Sequence, residues 1–142
     1  MVTLKSKCAV LLIDDSVDDR FFMRLALERG EDFKVIAEVS DGQEAIDYLK
    51  GEGPFHDRTL YPWPDLLVLD LKMPRKNGFD VLEWIQNEAV KVAAVIVSGA
   101  SLQEDMAKSL ALGALAYFKK PSIRQEQEEM MKALRALLNL QS

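Results

Sequence analysis

Asp14 and Asp15, Asp70, Ser98 and Lys120 share one feature: each stands at or near the end of a short apolar run. Carboxylates gathered without soft ligands repel one another, and a hard divalent cation relieves that repulsion through oxygen ligands. A lysine ammonium is a compact positive charge suited to a phosphoryl oxygen or a carboxylate. A serine hydroxyl donates to the same groups. Together a carboxylate nucleophile, a cation, an ammonium and a hydroxyl suit phosphoryl transfer onto Asp70. Aspartyl phosphates are an established covalent state, and metal and lysine neutralise charge on the equatorial oxygens. Singly, each residue has a plainer reading. Aspartates after strands cap helices and form turns, serines form turns, and most lysines are solvated. The joint pattern carries the chemistry.

The elements that must position these residues follow a rhythm. Cys8–Ile13, Leu66–Leu69 and residues 92–97 are continuously apolar, Phe33–Val39 alternates, and residues 116–118 form a shorter strand. Between them lie amphipathic segments. Residues 16–29 read as a helix with Val17, Phe21, Arg24/Leu25 and Glu28 on adjoining rows and Gly30 as its stop. Gly42–Lys50 places Ala45, Ile46 and Leu49 on one face, with Gly51 closing it. Residues 79–86 form a third helix. Two capping-box patterns, Ser101-x-x-Glu104 and Ser122-x-x-Gln125, open the last two. The final helix carries Ile123, Met130, Leu134, Leu137 and Leu138 along one stripe.

Continuous apolar runs mean strands covered on both faces, and strand–helix alternation gives right-handed crossovers and a parallel sheet. The expected fold is a doubly wound α/β domain with five parallel strands and five helices. In such sheets ligands bind outside the carboxyl ends of the strands, so distant residues converge on one rim. The loop over residues 52–64, with Pro54, Pro62, Pro64, Phe55, Tyr61 and Trp63, is expected to pack down rather than bind.

Composition narrows the function. The 142 residues make one domain at about 150 residues per domain, with 49% hydrophobic and 29% charged residues. A net charge of −5 argues against a nucleic-acid surface. Cys8 and His56 are the single cysteine and histidine, too few for a zinc site. No run approaches the roughly 18 apolar residues of a membrane span, and no secretory segment is visible, so a cytoplasmic location without membrane contact is expected. The acidic stretch from Asp14 to Asp19 would repel a flavin phosphate, and no G-x-x-x-x-G-K-[ST] loop is present.

Four stretches resemble the receiver domains of two-component response regulators: 10–16 (VLLIDDS), 64–78 (PDLLVLDLKMPRKNG), 95–98 (VIVS) and 113–121 (GALAYFKKP). The resemblance spans nearly the whole chain and implies a single receiver over residues 1–142, with its core at about 7–140 and no effector domain. It implies the flavodoxin-like strand order 2-1-3-4-5. Asp70 matches the phosphoacceptor, and Asp14 and Asp15 match the acidic pair for Mg²⁺. Asp70 and the backbone carbonyl of Lys72 would complete the metal's protein ligands. Ser98 matches the switch hydroxyl, Tyr117 the switch aromatic, and Lys120 the lysine before a proline, with a cis Lys120–Pro121 bond.

The implied partner is a histidine kinase or histidine phosphotransfer protein. Output would pass by protein contact, including a homodimer through the face of the fourth helix, fifth strand and fifth helix, to which Met131 and Ala133 could contribute. The long loop is similar to that of receivers paired with phytochrome-type kinases. Lys72 departs from the smaller polar residue common there, and Ala100 leaves water access open. The alternative is an interaction module of the same fold that is never phosphorylated, for which Lys72 is the best support.

Overall fold

A computed structural model describes residues 7–139. The strands are β1 (Cys8–Ile13), β2 (Phe33–Val39), β3 (Leu66–Leu69), β4 (Ala93–Ser98) and β5 (Ala116–Lys119). The helices are α1 (Val17–Glu28), α2 (Gly42–Lys50), α3 (Gly78–Asn87), α4 (Gln103–Ala111) and α5 (Arg124–Leu137). The strands form one parallel sheet in the order β2-β1-β3-β4-β5. Fold class and strand order are as expected.

The pleat explains why the central strands read as unbroken apolar runs. Successive side chains point to opposite faces, and here both faces are covered. Leu11, Ile13, Leu67, Leu69 and Ile96 pack with Ala45, Leu49, Val81 and Leu82 of α2 and α3. Val10, Leu12, Leu66, Val68 and Val95 pack with Ala26 and Leu27 of α1 and Met130 and Leu134 of α5.

Several local expectations are corrected. On α1 the row Val17, Phe21 and Leu25 is exposed (68%, 46% and 46%), and Ala26 and Leu27 are the buried pair. On α5, Ile123 and Leu137 are exposed. Met131 is buried in the core shared with Phe33 and Leu134, so it is not part of an outer face. Neither expected capping box forms. The α4 cap is Leu102 and the α5 cap is Ile123, both without a side-chain bond. Ser122 instead donates its N–H and hydroxyl to Glu126 Oε1 at 2.9 and 3.0 Å. The box that does form is Asn77 with Asp80, opening α3. A four-residue pattern marks a helix start only to within a residue, and tertiary packing chooses among neighbours.

The 52–64 loop packs, as expected. Tyr48, fully buried, meets Phe55 and Tyr61 with ring centroids 5.2 and 6.1 Å away, and its hydroxyl donates to Pro62 O at 2.7 Å. Arg58 donates to Leu49 O at 2.9 Å and lies over the Tyr48 and Trp63 rings.

The segment between β3 and α3 is held tightly. Gly78 N donates to Leu71 O at 2.9 Å, and a Cβ at Gly78 would lie 2.5 Å from the Asp70 carbonyl oxygen. That neighbour is backbone and cannot swing away. Gly78→Ala is therefore expected to lower stability by about 2 kcal/mol in urea denaturation. An unchanged midpoint would contradict this close approach.

Candidate functional site

Ladder hydrogen bonds continue past the strand ends and hold the rim in place. Asp14 N donates to Val39 O at 3.1 Å, Asp70 N to Ile13 O at 2.9 Å, and Lys120 N to Ser98 O at 2.7 Å. Backbone pairing thus delivers the first and third strand ends beside each other. One carboxylate oxygen from each of Asp14, Asp15 and Asp70 lies within 4.8 Å of the others. Asp15 is exposed, Asp14 is half-buried and Asp70 is 7% exposed.

Lys120 supplies the cation. Its Nζ lies 2.7 Å from Asp19 Oδ2, 2.8 Å from Asp14 Oδ2 and 3.5 Å from Asp70 Oδ2. Burial pushes the Asp70 carboxyl up to about 6; the Lys120 charge opposes that and the Asp14 charge adds to it. Its Oδ1 accepts from Leu71 N at 2.8 Å. For Lys120, burial works against the ammonium. Hydrogen bonds to Asp14 and Asp19 and the charge of Asp70 overcome it and hold the group above its ordinary value. Lysine therefore stays charged, and Asp70 is the most distant of its three carboxylate partners.

The other expected residues are placed as follows. Ser98, 2% exposed, ends β4, and its Oγ lies 3.4 Å from Ala100 N. Tyr117 is half-buried and its hydroxyl donates to Ala100 O at 2.6 Å. The Lys72 side chain is exposed, and it is Lys120, not Lys72, that pairs with the acid cluster. The Lys120–Pro121 bond is trans, since no described peptide bond is cis. This corrects the expected cis form, and trans is the lower-energy isomer of X–Pro by about 0.5–1 kcal/mol.

Two contributors escaped the sequence reading. Asp19 sits at the third position of α1, with its N–H bonded to Ser16 Oγ at 3.2 Å. Side chains on a helix lean toward its N-terminus, so Asp19 overhangs the rim. Its helical offset from the strand end was the available signal. Arg20 donates Nη1 to Asp14 O and Nε to Glu38 Oε1, the latter at 3.2 Å, which pins the acidic turn to β2.

The donor set suits a hard divalent cation. Three carboxylates against one ammonium leave two negative charges, all ligands are oxygens, and the group opens to solvent at Asp15. The only cysteine offers no competing nucleophile. Burial and the Asp65 charge push the Cys8 thiol up to about 11. Beside the cluster, a cavity of about 360 Å³ opens between α1 and the start of α5, with Lys120 and Asp19 on one wall and Phe22, Met23 and Pro121 on the others.

The model of the response regulator receiver domain matches residues 10–135. The chain belongs to the response regulator receiver family. Receivers of this family are phosphoryl acceptors rather than conventional enzymes. Over 134 residues the chain is 31% identical to a protein-glutamate methylesterase/protein-glutamine glutaminase of Myxococcus xanthus (strain DK1622), covering 94% of the chain and 35% of that protein. It is 30% identical to the nitrate/nitrite response regulator protein NarL of Escherichia coli (strain K12), covering 88% of the chain and 52% of NarL. The chain thus spans about a third to a half of these relatives. Among solved structures, the phosphorylated cyanobacterial phytochrome response regulator RcpA superposes with a TM-score of 0.81 at 26% identity, over 96% of this chain and 98% of RcpA. A response regulator in red-light signalling of R. palustris gives 0.79 at 27% identity, over 94% and 96% of the two chains. No helix among the described residues is long and apolar enough to cross a membrane.

The charge balance of this receiver predicts a pH effect in protein freed of divalent cations. The folded Asp70 value, about 6, lies above the ordinary 3.8. Between those values the native state holds more protons than the unfolded chain, so the Asp70 contribution makes stability fall as pH rises. Asp70→Asn removes that contribution. Its stability relative to the unsubstituted chain is expected to improve by about 1–3 kcal/mol from about pH 4 to about pH 7. A difference that is flat across that window in urea denaturation contradicts the buried acid.

Proposed function

We propose that the chain acts in two-component signalling as a receiver that takes a phosphoryl group on Asp70 from a histidine kinase or a histidine phosphotransfer protein. The observation that carries this reading is the placement of the buried Asp70 carboxylate. It lies 3.5 Å from the Lys120 ammonium, and its oxygens are grouped with those of Asp14 and Asp15.

Asp14, Asp15 and Asp70, with the Lys72 backbone carbonyl, would hold Mg²⁺, which when bound offsets negative charge on the phosphoryl oxygens. Asp70 attacks phosphorus, forming an O–P bond as the donor's N–P bond breaks and its electron pair returns to the imidazole. Lys120 faces the new negative charge. Ser98 donates its hydroxyl to a phosphoryl oxygen. The modification adds about 1.5 to 2 negative charges, and Lys120 and Ser98 move toward it. Hydrolysis by water later returns Asp70 as the carboxylate and releases inorganic phosphate.

Tyr117 couples this event to the outer face. Its hydroxyl is bonded to the carbonyl of Ala100, two residues beyond Ser98, so movement of that segment alters the tyrosine. The face of α4, β5 and α5 then changes its fit to a partner or to a second copy. Met106, Leu110 and Leu115 are exposed in this region and supply apolar surface for such contact. The reading places the protein in the cytoplasm, with output from the receiver through protein contacts rather than nucleic acid or membrane. Two similar structures support it: RcpA is a phosphorylated phytochrome response regulator, and the R. palustris protein works in red-light signalling.

Incubation with acetyl phosphate and Mg²⁺ is expected to add the mass of one phosphoryl group to the intact chain. Asp70→Asn should abolish the adduct. No adduct on the unsubstituted chain, or an adduct retained by the variant, contradicts the assignment and favours the module that is never phosphorylated.

A further inference from the structure

Lys120 is claimed by more carboxylates than the acceptor chemistry needs. Its nearest partner is Asp19, at 2.7 Å, and its most distant is Asp70, at 3.5 Å. Asp19 is not one of the three carboxylates grouped as a cation site. Its backbone is tethered through its own N–H to the Ser16 cap, so its carboxylate is carried on the first turn of α1.

We propose that Asp19 is a positioning residue that holds the Lys120 ammonium in a resting seat, and so lowers the affinity of the acceptor pocket for a phosphoryl group. The inference rests on the acceptor reading of Asp70. A primary ammonium has three donors, and in the resting protein two are spent on Asp14 and Asp19 at hydrogen-bonding distance. A divalent cation held by Asp14, Asp15 and Asp70 would compensate Asp14 in place of the lysine. Asp19 is then the carboxylate that still competes for Lys120 when a phosphoryl group forms on Asp70. The competition is modest because the Asp19 side chain is 44% exposed, and pairs open to water are weakened by solvent. Its effect is therefore a tuning of occupancy, not an on–off requirement.

The test uses the full chain and beryllofluoride, a phosphoryl mimic, titrated calorimetrically at fixed saturating Mg²⁺. Asp19→Asn is expected to tighten binding about two- to fivefold, the range of a weak, solvent-exposed ion pair. Asp19→Glu should restore affinity close to that of the unsubstituted chain. Asp18→Asn removes a neighbouring charge from an exposed side chain that does not pair with Lys120, and should shift binding less. In a Lys120→Ala background the Asp19→Asn gain should vanish. A purely structural role for Asp19 would lower thermal stability without tightening binding. Unchanged or weaker binding in Asp19→Asn overturns the inference. So does an equal gain in Asp18→Asn, or a gain that survives loss of Lys120. If the unsubstituted chain does not bind the probe at all, the acceptor reading itself fails, and the inference falls with it.

Discussion

One ammonium set among aspartates is the constraint on which this structure turns. Lys120 touches Asp14 and Asp19 and stands near Asp70, three carboxylates delivered by α1 and by two different strand ends. None of these contacts is local in sequence. They exist because β1, β3 and β5 run parallel and end on one rim, and because the ladder continues one residue beyond each strand to catch Asp14, Asp70 and Lys120 by their backbones. A one-residue slip in any pairing would turn the corresponding side chain to the other face of the sheet. Apolar burial on both faces fixes that register, so the core and the charge cluster depend on the same alignment.

What could be read from the sequence divides along a physical line. Strands buried on both faces leave unbroken apolar runs, and β1, β2, β3 and α2 were legible residue for residue. Asp14, Asp15, Asp70 and Lys120 were legible because a strand end names its own rim. Helices were harder. On α1, Phe21, Phe22, Met23, Leu25, Ala26 and Leu27 offer overlapping apolar stripes, and periodicity shows that a stripe exists without showing which one meets the sheet. The buried stripe proved to be the one through Ala26 and Leu27. Asp19 was missed for a related reason. Its reach to the rim comes from the lean of a helical side chain, three residues after the cap, and not from any strand. Asn77 with Asp80 was missed because Asn–Asp lies outside the Ser/Thr-x-x-Glu/Gln pattern, which did not form at the starts of α4 and α5.

The segment after Asp70 shows how the rest of the fold serves the cluster. Asp41 caps α2 by accepting from Glu44 N at 2.8 Å and also takes the Arg75 guanidinium at 2.7 Å. Gly42 N donates to Lys76 O at 2.9 Å, where a Cβ would come within 2.4 Å of that oxygen. Arg75 itself has φ of 63°, a left-handed conformation that costs a non-glycine residue about 1–2 kcal/mol. The ion pair to a buried aspartate and the Lys76 hydrogen bond hold it there. The segment bearing Leu71 and Lys72 is thus anchored at its far end by α2 and at Gly78 by Leu71 O. With a loose loop here, Asp70 would lose the Leu71 N–H that fixes its Oδ1.

Charge accounting links the cluster's instability to its use. Asp14, Asp15 and Asp70 against Lys120 leave two negative charges, which is the charge of one divalent cation. The protein bears this imbalance at its most buried member, and burial accordingly raises Asp70 to about 6. Packing hydrophobic residues at the same rim would be easier for the fold, since unpaired buried charge is costly. The imbalance is one that a bound divalent cation would neutralise. Asp19 then acquires a distinct meaning. It adds a fourth carboxylate that a divalent cation at the other three would not need to neutralise, and it leaves Lys120 divided between α1 and Asp70. Under the proposed phosphorylation of Asp70, the new anion would compete with α1 for the ammonium, which would couple the strand ends to a helix whose outer row, Val17, Phe21 and Leu25, faces solvent.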